Sequence, residues 1–142
     1  MKQAKRTIVH VDDSKVILEM VHDLLTEIGF DACSVDDPCR VPEALEATGS
    51  RILISDIEMP QMNGLDLLKR TKGEDGGISV IMLTGAVGPS AVLQSMRWGA
   101  EACHFKPLNN TSRLIESIQA AYAKQNGWWT SLNESHKPTR LV

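Results

Sequence analysis

Apolar and polar positions along the chain switch between two rhythms. Short, nearly continuous apolar runs at 6–11, 30–35, 52–56, 78–83 and 101–106 read as strands. The runs at 52–56 and 78–83 contain almost no polar interruption, which fits strands buried on both faces. Between the runs, apolar residues recur at helical spacing. Ile17, Val21, Leu24 and Ile28 predict a helix over 14–28, with Asp13 or Ser14 to cap it and Gly29 to end it. A second helix at about 38–48 opens on Pro38 and closes on Gly49. After a loop from Met59 to the Asn63-Gly64 turn, Leu65, Leu68 and Thr71 mark the core face of a third. GEDGG at 73–77 reads as a flexible connection. The fourth helix starts near Ser90 and ends at Gly99, and Leu114, Ile115, Ile118 and Tyr122 give the stripe of the fifth.

Strand and helix thus alternate five times. That pattern predicts an α/β fold, a (βα)5 flavodoxin-like doubly wound parallel sheet with strand order 2-1-3-4-5. At 142 residues the chain fits one domain, expected over 1–124. Residues 125–142 are polar and turn-rich and read as a C-terminal tail, not a separate domain. The net charge of −3 gives no general attraction for nucleic acid, and Lys2, Lys5 and Arg6 read as a frayed, solvated terminus. No apolar run approaches the roughly 18 residues of a membrane span, and MKQAKR leads straight into a strand rather than a signal peptide. A cytoplasmic location is expected. Cys33, Cys39 and Cys103 form no CxxC pair and read as reduced thiols, with no zinc site.

Four of the strand-like runs end in groups that handle phosphate. TIVHV meets Asp12-Asp13, RILIS meets Asp56, VIML meets Thr84 and ACHF meets Lys106-Pro107. In an open parallel sheet these carboxyl ends share one edge, where ligands bind. Clustered carboxylates stay ionised only beside a cation, and short oxygen ligands suit Mg²⁺. Lys106 and Thr84 add an ammonium and a hydroxyl donor for phosphoryl oxygens. A nucleophile, a metal and donors are what phosphoryl transfer needs, and Asp56 is the candidate nucleophile. Taken singly, each Asp is also a good turn or helix cap; Asp66 reads as part of a solvated helix face.

From about residue 6 to residue 124 the chain resembles the receiver domains of two-component response regulators. HVDDS at 10–14, SDIEMPQMNG at 55–64, MLTG at 82–85 and FKP at 105–107 carry the resemblance. It implies Mg²⁺ held by Asp13, Asp56 and the backbone carbonyl of Glu58, with Asp12 helping. It implies Asp56 as phosphoacceptor, Lys106 and Thr84 binding the phosphoryl group, and a cis Lys106-Pro107 peptide. It further implies a histidine kinase or histidine phosphotransfer protein as donor, and a protein partner on the face of the fourth helix, fifth strand and fifth helix. The chain departs from the family at Cys103, where the family carries Tyr or Phe. A thiol packs as a small hydrophobe and cannot act as the same lever.

The other notable residues have plainer readings. His10 is expected as a satisfied core histidine, Phe105 as a core residue, and His104 on the face opposite Cys103. Met59, Met62, Met82 and Met96 fill loop and core. Trp98 is an exposed anchor at the end of the fourth helix, whereas Trp128-Trp129 either anchor a partner or fold back on the domain. Two rival functions use the same residues. One is an aspartate-nucleophile phosphatase with Glu58 as its second acid, although the lid such enzymes need is missing. The other is a receiver-like scaffold that no longer switches, for which Cys103 is the argument.

Overall fold

The computed structural model describes residues 3–85 and 88–136; Lys2 and the end of the expected tail lie outside them. Five strands, β1 (Thr7–Val11), β2 (Asp31–Val35), β3 (Ile52–Ser55), β4 (Ser79–Thr84) and β5 (Ala102–Phe105), form one parallel sheet in the order β2-β1-β3-β4-β5. This is the expected topology. Helices α1 (Lys15–Glu27), α2 (Val41–Thr48), α3 (Gly64–Glu74), α4 (Pro89–Arg97) and α5 (Ser112–Ser135) alternate with the strands, and a short 3-10 turn, Pro38–Arg40, precedes α2.

Period-two alternation divides the core into two layers. Val9, Val11, Leu53, Val80 and Met82 pack with Val41 and Leu45 of α2 and Leu67 and Leu68 of α3. Ile8, Ile52, Ile54, Ile81 and Leu83 pack on the other face with Val21 and Leu25 of α1 and Leu114 and Ile118 of α5. Every residue of β3 and β4 is buried, as their continuous apolar runs demand.

Several stripes are rotated from their expected positions. In α1 the buried set is Leu18, Val21 and Leu25, while Ile17, Leu24 and Ile28 flank it. In α3 it is Leu67, Leu68 and Thr71, with Leu65 only partly buried. A helix whose apolar positions exceed one stripe does not state which stripe is central; its packing on the sheet does. The 73–77 connection is also less loose than its glycines suggest. Gly73 and Glu74 complete α3, and Asp75 pairs with Arg51 at 2.5 Å while accepting from the Gly77 amide at 2.9 Å. Arg6, expected to be frayed, lies over the rings of Phe30 and Tyr122 at 4.3 and 4.6 Å and donates to the Gly29 carbonyl.

The largest departure is at the C-terminal end. Helix α5 runs through Ser135, so most of the expected turn-rich tail is helical. Gln125, buried, donates from Nε2 to the Gly77 carbonyl at 2.8 Å and to Ser79 Oγ at 2.9 Å. A buried amide with two partners continues a core stripe although its residue type reads as polar surface.

His10 is fully buried, but neither ring nitrogen has a hydrogen-bond partner among the described residues. The expectation of a satisfied histidine is therefore corrected. Its neighbours on that face are apolar, and burial, then the Lys106 charge, hold its pKa down to about 3. Unfolding releases the ring to its ordinary value of about 6.5. Between those two values the unfolded chain binds one more proton, so His10 lowers stability progressively as pH falls below about 6.5, at up to about 1.4 kcal/mol per pH unit. Partly buried His104, with its pKa lowered first by burial and then by Arg113, acts in the same direction. We expect His10→Leu to be at least as stable as wild type at pH 7. Its advantage should widen by more than about 1 kcal/mol at pH 5, measured by urea unfolding, because two unpaired polar atoms leave the core.

Candidate functional site

The carboxyl ends of the strands converge as the parallel order requires. Asp12 follows β1, and its amide bonds the Val35 carbonyl of β2 at 3.2 Å. Asp56 follows β3, and its amide bonds the Val11 carbonyl of β1 at 3.2 Å. Thr84 closes β4 and is fully buried; its carbonyl accepts from the Lys106 amide at 2.8 Å. The Lys106-Pro107 peptide is cis, as expected.

One carboxylate oxygen from each of Asp12, Asp13 and Asp56 lies within 4.8 Å of the others. Asp12 and Asp56 are buried, and Asp13 is exposed at the rim. Lys106 Nζ reaches in from the far strand, 2.6 Å from Asp12 Oδ2 and 3.3 Å from Asp56 Oδ2. The remaining oxygens are held by backbone: Asp12 Oδ1 accepts from the Ser14 amide at 2.9 Å, and Asp56 Oδ1 from the Ile57 amide at 2.7 Å. Ser14 also caps α1 through the Ile17 amide.

Two opposing influences set the charge of Asp56. Burial raises its pKa above the ordinary carboxylate value and Asp12 adds to the rise, while Lys106 and the Ile57 amide oppose it. Three carboxylates against one ammonium leave an excess of negative charge in a buried place. A hard divalent cation answers that excess, and an oxygen-only donor set suits Mg²⁺. The side chain of Glu58 is exposed and stands outside the carboxylate cluster.

The loop bearing Asp56 is held by a contact that the sequence does not announce as functional. Gly64 was legible as a turn residue, and its amide donates to the Ile57 carbonyl at 2.7 Å. A Cβ there would lie 1.8 Å from the Asp56 carbonyl oxygen and 2.7 Å from Ile57 Cα. This glycine is required by the close approach of α3 to the phosphoacceptor candidate's own backbone.

Strand β5 lies at the sheet edge, which explains two further findings. Phe105, expected in the core, is 40% exposed, because the edge strand has no neighbour to cover it. Cys103 and His104 face opposite sides, as expected. Cys103 lies among the α2–α4 layer, where burial pushes its thiol pKa up and a hydrogen bond with Ser95 of α4 opposes the shift. His104 Nε2 is 2.8 Å from Ser117 Oγ of α5. Ser95 and Ser117 were not singled out from sequence; a small polar residue inside a helical stripe was the only signal. Trp98 is exposed as expected, with Lys69 Nζ 4.5 Å from its ring centre. Met59 and Met82 are buried, but Met96 is exposed, not filler.

Residues 8–119 match the family model described as the response regulator receiver domain. Chemotaxis protein CheY1 of Helicobacter pylori strain J99 is 31% identical over 101 residues, which cover 68% of this chain and 82% of that protein. Transcriptional regulatory protein FixJ of Bradyrhizobium diazoefficiens is 28% identical over 111 residues, 78% of this chain but only 54% of that protein. Among solved structures, a CheY-like response regulator receiver domain protein from Methanospirillum hungatei JF-1 superposes with a TM-score of 0.79 at 26% identity, covering 89% of this chain and 99% of that one. No described helix is long and apolar enough to cross a membrane. With the fold, the matched residues and these relatives in agreement, the chain belongs to the response regulator receiver domains of two-component signalling.

Proposed function

We propose that this receiver accepts a phosphoryl group on Asp56 from the phosphohistidine of a histidine kinase or histidine phosphotransfer protein. The observation that carries the reading is the placement of Asp56. One oxygen is fixed by the Ile57 amide, and the other lies 3.3 Å from Lys106 beside two further carboxylates. An Asp56 oxygen attacks phosphorus, the P–N bond to imidazole breaks, and the departing ring nitrogen keeps the electron pair and takes up a proton. Asp12, Asp13 and Asp56, with the Glu58 carbonyl, would hold Mg²⁺, which neutralises the carboxylates and the charge that develops on the phosphoryl oxygens. Lys106 and Thr84 bind those oxygens. The added charge of about −1.5 to −2 then biases the arrangement around β4 and α4. A protein partner reads the result on the face of α4, β5 and α5, where Leu93, Met96 and Phe105 are exposed. The setting is cytoplasmic, and neither nucleic acid nor a membrane is contacted.

Incubation with Mg²⁺ and a small acyl phosphate tests this. The expected result is one phosphoryl group per chain by intact mass, and none when a chelator is present from the start. Steady turnover of phosphate esters without a labelled chain would favour the phosphatase rival and overturn the proposal. A second check is independent of phosphate: magnesium should stabilise wild type against unfolding, by about 2.7 kcal/mol at a hundred times its dissociation constant, and leave Asp13→Asn nearly unmoved.

Cys103 supports a second reading of the output, a receiver that is phosphorylated but does not switch in the usual way. Cys103 packs in the α2–α3 layer with no ring to move, while Ser95 Oγ of α4 donates within its own helix to the Ala91 carbonyl at 2.7 Å. Phosphorylation that changes the emission of Trp98 favours switching; unchanged emission, followed in a Trp128→Phe/Trp129→Phe background, favours the scaffold.

A further inference from the structure

Strand β2 is an edge of the sheet, and no strand lies beyond it among the described residues. The Asp31 amide bonds the Arg6 carbonyl at 2.9 Å, and the Val35 carbonyl accepts from the Asp12 amide at 3.2 Å, so both residues turn their backbone toward β1. Along a parallel strand that direction alternates. Ala32 and Ser34 therefore aim their N–H and C=O groups out of the sheet. Ser34 is exposed, and Ala32 and Cys33 beside it are small. Two surface cavities meet at Ser34 and Leu18. One, of about 540 Å³, is walled by Cys33, Asp36, Ala44 and Ala47; the other, of about 340 Å³, by Glu19, His22 and Asp23 of α1. This edge is also acidic. Residues 14–48 carry eight carboxylates against Lys15 and Arg40, a net charge of −6 on a chain whose total is −3. Among the described residues none of the eight is ion-paired.

We propose that the β2 edge takes up an extended, lysine- or arginine-rich segment of a partner protein as a sixth strand. The outward groups of Ala32 and Ser34 supply main-chain hydrogen bonds to such a strand, and the small residues beside them leave it room. Its successive side chains point to opposite faces and so enter the two cavities in turn. Charge selects the occupant. Around the cavities Glu19, Asp23, Asp36 and Glu43 stand against Lys15 and Arg40, which leaves two carboxylates unmatched. A second copy of the chain is disfavoured, because pairing two β2 edges sets one acidic segment against another. The other sheet edge, β5, does not compete for a cationic segment. Residues 89–124 around it carry Arg97, Lys106, Arg113 and Lys124 against Glu101 and Glu116, a net charge of +2.

A peptide of sequence Val-Lys-Lys-Thr-Val-Lys-Lys-Thr tests this, because as a strand it turns lysines to both faces. Fluorescence anisotropy of the labelled peptide with the full chain should show saturable binding below about 1 mM. At saturation, hydrogen exchange of the Ala32 and Ser34 amides should slow at least about tenfold, with exchange along β5 unchanged. Methylating the two central peptide amides keeps every charge but blocks pairing along either edge of the peptide, and it should weaken binding at least about tenfold. Asp23→Lys/Glu43→Lys should weaken it as much. Glu116→Lys/Glu134→Lys, the same charge change on α5, should shift the dissociation constant less than about threefold. Circular dichroism checks that both variants fold, and the methylated peptide gives its answer on the wild-type chain. Asp56→Asn should bind the peptide as wild type does, so docking and phosphorylation fail separately. No saturation by about 1 mM, equal binding of the methylated peptide, unslowed exchange at Ala32 and Ser34, or an equal loss in the α5 control overturns the proposal. So does undiminished binding to Asp23→Lys/Glu43→Lys.

Discussion

Asp56→Asn is expected to take up no phosphoryl group, lowering the rate of labelling by more than about 100-fold, as removal of a covalent nucleophile does elsewhere. The amide has nearly the shape of the carboxylate but lacks the ionised oxygen that attacks phosphorus. The same change should raise stability, which separates chemistry from folding. Burial, ahead of every other influence, lifts the pKa of Asp56 above the ordinary value. A raised folded-state pKa favours the protonated form. Its stabilising contribution is complete below the unfolded value and is lost as pH rises through the folded one. At neutral pH the charged carboxylate is therefore a liability in the absence of a cation. Asparagine removes it, and Lys106 retains its closer partner, Asp12, at 2.6 Å. We expect Asp56→Asn to melt higher than wild type without Mg²⁺, by about 2–8 °C for each kcal/mol gained, and to lose that advantage when Mg²⁺ is added. Labelling of the variant equal to wild type would refute the assignment, whatever the melting temperature.

Gly64→Ala should be among the most damaging single substitutions in the chain, costing about 3 kcal/mol or more, the upper end of overpacking effects. The atoms that a Cβ would meet are backbone: the Asp56 carbonyl oxygen and carbon and Ile57 Cα, at 1.8, 2.8 and 2.7 Å. None can rotate away as a side-chain tip would. Relief requires either the start of α3 or the end of β3 to shift, and the latter carries Asp56. Folded material should therefore also label more slowly. Gly73→Ala is the matching control. It lies in α3 with nothing within 4 Å of its added carbon, and it should gain about 0.5–1 kcal/mol from the helix alone. Urea unfolding of the two variants reads both effects, and a Gly64→Ala protein within 1 kcal/mol of wild type would show that the α3–β3 contact gives way more easily than its geometry implies.

Much of the site was legible because parallel strands send their carboxyl ends to one edge. Once TIVHV, RILIS, VIML and ACHF read as strands, the neighbours of β1 and β3 brought Asp12, Asp13 and Asp56 together, and Lys106 followed from β5. Residues whose state depends on what covers them were less legible. Phe105 and Met96 read as filler and are exposed, while Gln125 reads as surface and is buried. His10 reads as satisfied because most buried histidines are, yet among the described residues neither ring nitrogen finds a hydrogen-bond partner.

Periodicity and strand-end chemistry, both local properties of the chain, are enough by themselves to specify the alternation and the identity of the acidic cluster; the sheet order adds the topology rules of parallel α/β folds, and the family adds the resemblance of the motifs at 10–14, 55–64, 82–85 and 105–107. Period-two and period-3.6 patterns are written in adjacent residues, so no tertiary knowledge is needed to read them. The tertiary structure alone decided which stripe of each helix is central, why Gly64 admits no side chain, and that Lys106 bridges Asp12 and Asp56. It also decided that α5 outruns its sheet and leaves Trp128 and Leu132 uncovered. Each of those depends on distances between residues far apart in the chain, and the burial of a residue is a property of its neighbours rather than of its type.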